Sequence, residues 1–573
     1  MQFLVLTTLA LASLTVAVPA GAEHGTNPAD MSPNMFHVAN RRPTPPSGQP
    51  PTTHSDLAFF QAGAATAVRQ DLAAAGNYDG FRLFNVTNPE NPVEVANVRC
   101  RGPQNDVSFH QAGNRLLLIQ SIDRPQTHSG MESPDACLLS RDTPVSFNNP
   151  SPPFTRFVFG FEGLRIWDVT RPQAPRLIAA VPTACGSHTH STIPDRDDRR
   201  AIVYVSSYPI GASVSPEPAA GDQGPRCTQP HARISIVEIP DLAPEAAHVL
   251  KEQPLDADTK PFRGTLGAGG TGAIGCHDIT MLTEASQQPE TDPRPRRETA
   301  AAACLEEGQL WDISDPANPT TTGPRHSHIY NPFITPANPA AGGLFHTASW
   351  TWDGEIVLFT DEWQGGGAHG CDGPEDTRGN VWFYKAVPPG ADPPLYGRYM
   401  MPRPQPAAEV CTLHNGNVIP TDKGYFGVSS SYEGGTSVFD FSTVRQFPEL
   451  PPFEHGQTPP DAPPPLVARE VAHADMQNGD ARGKDDTWSS YWWNDYIWVN
   501  GGLVRGRADD PNRQRGLDVF KILLPAGKSL SDPTDATEVF QHQFRARKFP
   551  QAFNPQTQEV QQGTGWGQGD QTG

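Results

Sequence analysis

The phrase GLRIWDVTRPQAPRLIAAV, Gly163 to Val181, recurs along the chain and constrains its fold more than any other feature. A glycine opens it and an alternating apolar strand follows. Asp168-Val169-Thr170, a proline-punctuated turn and a second short strand complete it. Close copies read GFRLFNVTNPENPVEVANV from Gly80 and GQLWDISDPANPTTTG from Gly308. Weaker copies begin at Arg233, Asn380, Thr436 and Gly516. Seven copies of one strand-turn-strand phrase indicate a repeat architecture, in which each unit buries its apolar face against its neighbours.

Two further strand candidates precede each copy, for example HTHSTIPD with AIVYVSSYP, or FHTASWTWDG with EIVLFTDEW. Each unit is then four strands, A to D, with C and D supplied by the phrase. Seven such units predict an all-β protein, a seven-bladed β-propeller of four-stranded blades. Two stacked β-sandwiches would explain the strands but not seven copies of one turn. The 61 prolines and 52 glycines favour turns over long helices. The propeller is expected over 53–550, between a flexible polar leader (23–52) and a disordered tail (551–573). The polar inserts 123–160, 209–232, 283–300 and 320–343 are expected as surface loops.

Residues 1–22 read as a secretory signal peptide. An apolar run from Leu4 to Val18 precedes the small-residue site Ala20-Gly21-Ala22, although no Lys or Arg leads it. That run is too short to span a bilayer, so no transmembrane segment is expected. The mature chain is expected to be secreted and monomeric. A formal charge of -20 argues against nucleic acid as a partner. The eight cysteines fit an oxidising compartment and form no CxxC knuckle, so disulfides are expected in preference to zinc.

The unit G-(F/L)-R-(L/I)-x-(D/N)-(V/I)-(S/T)-x-P-x-x-P resembles the LVIVD repeat of exported bacterial and archaeal proteins. The resemblance covers Thr53 to Ile522, and NYDGFRLFNVTNP, CHDIT, FTDEW and HNGNVIP are its best-kept segments. It implies a β-propeller fold and an exported location, and no established reaction.

Aligning the A strands exposes a second pattern. Five of the seven units begin with histidine in one phase: His54, His188, His277, His346 and His414. A sixth has Asn105-Asp106, and Asp278 follows His277. The A strand is innermost in a propeller, so these residues should ring the mouth of the central channel. With only 18 histidines in the chain, recurrence in one register points to a role. His54, Asp106, His188, His277, Asp278, His346 and His414 are the candidate ligands of a divalent metal cofactor. Asp361 and Glu362 approach the same face, as does the glycine run 365–367. Two other readings stand beside this one: a hydrogen-bonded polar channel and acid–base catalysis without metal. His110, His326, His328 and His473 fall outside the phase and read as structural or solvated.

The repeat phase also places the cysteines. Cys100, Cys185, Cys276 and Cys411 lie at D–A junctions or A-strand starts, whereas Cys137, Cys227, Cys304 and Cys371 lie in B–C connections. Sequential pairing would link Cys100–Cys137, Cys185–Cys227, Cys276–Cys304 and Cys371–Cys411, on the histidine face. Asn85, Asp168, Asp312 and Asp440 recur at the end of strand C, where an Asx turn is a simpler reading than calcium binding. Two functions follow from these patterns. One is a secreted propeller that binds a metal, and a small ligand, at the histidine face. The other is a non-enzymatic extracellular module that binds a protein or polysaccharide.

Overall fold

The computed structural model describes residues between 30 and 558, chiefly 30–43, 52–123, 161–208, 231–256, 275–283, 298–330, 343–363, 375–454, 462–502, 515–522 and 555–558, with short gaps inside them. Its strands form seven antiparallel four-stranded sheets, one of which gains a fifth strand. Neighbouring inner strands pack on one another, and that of the last blade closes on that of the first. The chain is thus an all-β, seven-bladed propeller, as the repeat predicts. Among the described residues helix is confined to short turns such as Pro244–Ala246 and Val444–Gln446. No helix among the described residues is long and apolar enough to cross a membrane.

The inner strands are His54–Phe60, Gln104–Ala112, Thr189–Asp195, Asp278–Leu282, Gly343–Trp350, Gly416–Ile419 and Thr487–Trp493. Apolar faces of adjacent blades interlock between them. Phe59 of blade one stacks on Trp493 of blade seven with ring centroids 4.8 Å apart, both fully buried. Burying a side chain such as Phe59 contributes about 1.5–3 kcal/mol.

The recurring glycine has a steric cause. Gly80 and Gly163 open strand C with φ of +144° and +132°. A Cβ on Gly163 would stand 2.2 Å from the Val181 carbonyl oxygen, and one on Gly80 would stand 1.9 Å from that of Val98. Strand D crosses so close to the start of strand C that only glycine fits. The recurring Asn or Asp is an Asx turn in all four copies. Asn85, Asp168 and Asp312 each accept from the backbone N–H two residues on at 3.0 Å, and Asp440 does so at 2.9 Å.

Four features differ from the sequence expectation. First, the leader expected to be flexible contains two strands. Met35–Arg41 pairs with Gly516–Ile522 and becomes the outer strand of blade seven. Asp30–Met31 adds a fifth strand to blade six. The N-terminal segment thus occupies the D-strand place of the seventh copy and covers the edge of its strand C. Second, blade four takes its D strand from His326–Tyr330, inside the expected loop 320–343. Third, blade six takes its D strand from Arg469–Asp475, well beyond the repeat phrase. Fourth, Gln556–Gln558, inside the tail expected to be disordered, is buried against blades four and five. Met281 donates its backbone N–H to the Thr557 carbonyl at 3.0 Å, and Gln558 Nε2 donates to the Trp350 carbonyl at 3.1 Å.

Cys185–Cys227 and Cys276–Cys304 are paired as expected, closing sequence separations of 42 and 28. Loops of that length correspond to about 3–4 kcal/mol each in the chain-entropy model. Cys100 and Cys411 are also disulfide-bonded. Cys137 and Cys371, their expected partners, lie outside the described residues, as does the signal peptide expected over 1–22.

Candidate metal centre

His188, His277 and His414 occupy equivalent positions in blades three, four and six. Each donates its backbone N–H to a carbonyl at the end of strand B: Ser206 at 2.8 Å, Ala303 at 2.7 Å and Ser430 at 2.9 Å. His346 takes the corresponding place in blade five, within a bulge between Phe345 and Ala348. The four imidazoles form a continuous arc. Ring centroids are 4.2 Å apart between His188 and His277, 3.7 Å between His277 and His346, and 4.0 Å between His346 and His414. All four residues are buried.

Carboxylates and tyrosines at strand B ends hold this arc. Glu362 Oε2 lies 3.7 Å from His346 Nε2, and its Oε1 lies 3.7 Å from His414 Nε2. Tyr432 donates its hydroxyl to Glu362 Oε1. Tyr432 holds φ at 46°, an uncommon conformation for a bulky residue and one often found where a site is pre-organised. His414 Nδ1 donates to the Trp488 carbonyl at 2.5 Å, which leaves Nε2 as the lone-pair nitrogen facing Glu362. On the other flank, His188 Nδ1 faces Asp123 Oδ1 at 3.3 Å, and the Tyr208 hydroxyl lies 3.2 Å from His188 Nε2. His188 Nε2 meets His277 Nε2 at 2.7 Å.

The electrostatics favour neutral rings at His277 and His346. Burial pushes His277 well below the ordinary imidazole range, and the neighbouring His188 and His414 push it further. Burial does the same to His346, reinforced by His277 and His414. Neutral imidazole is the form that binds metal. Ligand atoms of His277, His346 and Glu362 all lie within 4.8 Å of one another. His346 Nδ1 and Asp123 Oδ2 are buried without a hydrogen-bond partner. The cavity at this mouth measures about 10 Å³, room for roughly one ion or water.

Of the seven expected ligands, the structure gathers His188, His277, His346 and His414. His54 stands outside the set: it lies one residue before the equivalent position, where Ser55 lines the cavity, and its Nδ1 donates to Asn500 Oδ1 at 3.1 Å. Burial, with the charge of Arg82, lowers its pKa to about 3. Asp106 lines the same cavity but is bound to blade three: its Oδ2 accepts the His190 backbone N–H at 2.8 Å and lies 3.0 Å from His190 Nδ1. Asp278 belongs with Asp106 and Asp56 in an acidic set. Burial, then the charges of Asp106 and Asp56, raise its pKa well above the carboxylate range. Asp56 is raised likewise, by burial and then Asp106. His54 Nε2, Asp106 Oδ1 and Asp278 Oδ2 are also buried without a hydrogen-bond partner.

Sequence reasoning brought Glu362 to this face without counting it a ligand, and it missed Asp123, Tyr208 and Tyr432. Their common signal is position: each ends strand B or immediately follows it in its blade.

No family model matches the chain, and no curated protein matches it. Among solved structures, the crystal structure of Chaetomium thermophilum Raptor covers 68% of this chain at 13% sequence identity, with a TM-score of 0.33. The match spans 23% of that protein's length, and so loose a likeness carries no functional argument.

Proposed function

We propose that this chain is an exported metal-binding β-propeller of the LVIVD-repeat kind, holding a divalent transition-metal ion at the histidine mouth of its channel. One observation carries the reading: two buried, neutral imidazoles and a carboxylate, His277, His346 and Glu362, bring their ligand atoms within 4.8 Å. Nitrogen and carboxylate oxygen are the donor types of zinc and its first-row neighbours. His188 and His414 extend the set on either side.

An ion at such a site would act as a Lewis acid and lower the pKa of bound water. The protein's own residues set the stage. Tyr432 fixes the Glu362 carboxylate, and the Trp488 carbonyl fixes the His414 tautomer. Burial keeps the His277 and His346 rings unprotonated. Export is supported by the apolar leader of the sequence and by disulfides that pin the entry to the inner strands of blades three and four.

Metal analysis of the oxidised protein, beside His277→Ala and His346→Ala, tests the reading. Wild type is expected to carry one equivalent more than either variant, with all three unfolding cooperatively. Equal metal content in folded wild type and variants would sink the idea.

A further inference from the structure

A second histidine pair lies at the outer edge of blade four, away from the channel mouth. We propose that His326, His328 and Asp256 form a separate divalent-metal site at the seam between blades three and four, with Zn²⁺ the ion that fits best. This inference does not depend on the channel site.

His326 and His328 alternate on strand D, so both rings stand on one face of the sheet. Their outer-shell bonds set both tautomers alike. His326 Nδ1 donates to the Gly323 carbonyl at 2.9 Å, and His328 Nδ1 donates to Glu307 Oε2 at 2.7 Å. Carbonyl and carboxylate oxygens only accept, so each ring carries its proton on Nδ1. In the neutral rings both Nε2 atoms then present lone pairs, and they face each other at 3.0 Å. Two lone pairs that close repel unless a proton or a metal cation lies between them. Two imidazole nitrogens about 2.0–2.1 Å from one tetrahedral ion would sit roughly 3.3 Å apart, close to the observed spacing.

The third ligand is in place. Asp256 Oδ2 lies 3.8 Å from His326 Nε2, and all three ligand atoms fall within 4.8 Å of one another. The Asp256 side chain is 44% exposed, so it can close on an ion and the ion can arrive from solvent.

The support behind these ligands is ordered. Gln309 Nε2 donates to Glu307 Oε1 at 2.7 Å and to the Asp256 carbonyl at 3.1 Å. Trp311 Nε1 donates to Gln309 Oε1 at 2.8 Å and so fixes the amide's orientation. The Asp256 N–H donates to the Thr321 carbonyl at 3.1 Å. A carboxylate behind a histidine, itself held by a buried amide, is the arrangement that orients metal-binding imidazoles.

Zn²⁺ titration of the full oxidised chain, followed by calorimetry and dialysis, tests the proposal. The double variant His326→Gln/His328→Gln should lose one equivalent relative to wild type. Glu307→Gln, which leaves all three ligands in place, should weaken that equivalent about 10–100-fold without lowering Tm. Asp256→Asn, at a half-exposed position, should weaken it without unfolding the chain and guards against a misfolded double variant. An unchanged Zn²⁺ stoichiometry in the folded double variant would overturn the proposal. So would unaltered affinity in both Glu307→Gln and Asp256→Asn, which would leave the pair merely sharing a proton.

Discussion

His277 and His346 bring their imidazole centroids to 3.7 Å although they belong to different blades. Neither ring can take up a proton without placing a buried charge against its neighbours. The propeller thus keeps an array of lone-pair donors at physiological pH, at the mouth where strands A and B converge.

Tyr432 and Glu362 give the most selective test of that array. The Tyr432 hydroxyl bonds the Glu362 carboxylate and belongs to none of the three ligand residues. Tyr432→Phe should preserve the fold and weaken channel metal about 10–100-fold, the range for loss of an orienting contact. Competition against a chelator of known affinity, compared with wild type, measures the change. Unaltered affinity would remove Tyr432 from the site.

His54 makes acid stability testable away from the metal ligands. Its folded pKa is about 3, pushed down by burial and then by Arg82, against 6.5 for a free ring. The unfolded state therefore binds the extra proton below about pH 6.5. The contribution is fully present above pH 6.5 and is lost as pH falls toward 3. His231 has the same sign, at about 4, through burial and Arg233. Across that window His54→Gln should flatten the loss of unfolding free energy by about 1.4 kcal/mol per pH unit. Denaturant titrations with a chelator present, at stepped pH, would reveal it; parallel curves for the two proteins would refute it.

Asp518 is the latch of the closed ring. Its carboxylate accepts from Arg515 at 2.6 and 2.7 Å, from Asn40 Nδ2 at 2.9 Å, and meets His37 Nε2 at 2.7 Å. Burial alone would raise its pKa, but Arg515 and His37 outweigh that and hold it far below the carboxylate range. Its stabilisation is present above about pH 4 and is lost as pH falls below that. Asp518→Ala strands the buried Arg515 and should cost about 3–5 kcal/mol at neutral pH. The same variant should free the N-terminal strand, read as faster amide exchange at 35–41. Protection equal to wild type would argue against the latch.

The Cys276–Cys304 disulfide ties the residue before His277 to the end of strand B. Replacing both cysteines with serine should lower stability by about 3 kcal/mol. Channel metal affinity should fall with it, because His277 loses its anchored neighbour. Affinity that survives while stability drops would show that the strand pairing alone sets the ligand.

The sequence alone determined the blade. One glycine that tolerates strand D overhead, one Asx turn and one alternating strand are local requirements, and local requirements repeat visibly. The same phase exposed His188, His277, His346 and His414, because each enters strand A at an equivalent position; in blade one that position is held by Ser55, one residue after His54.

What the tertiary structure decided was convergence. Bulges between His54 and Leu57 and between Phe345 and Ala348 set the register at the strand starts, which puts His346 in the arc and leaves His54 one residue short of it, in the place matching Phe345. Glu362 and Asp123 joined from strand B ends. Ring closure depended on pairing residues far apart in the chain: the seventh blade's outer strand is Met35–Arg41, hidden in a Pro-rich leader. The pair at His326 and His328 was passed over for a related reason. Its strand lies beyond the repeat phrase, and its third ligand comes from the neighbouring blade.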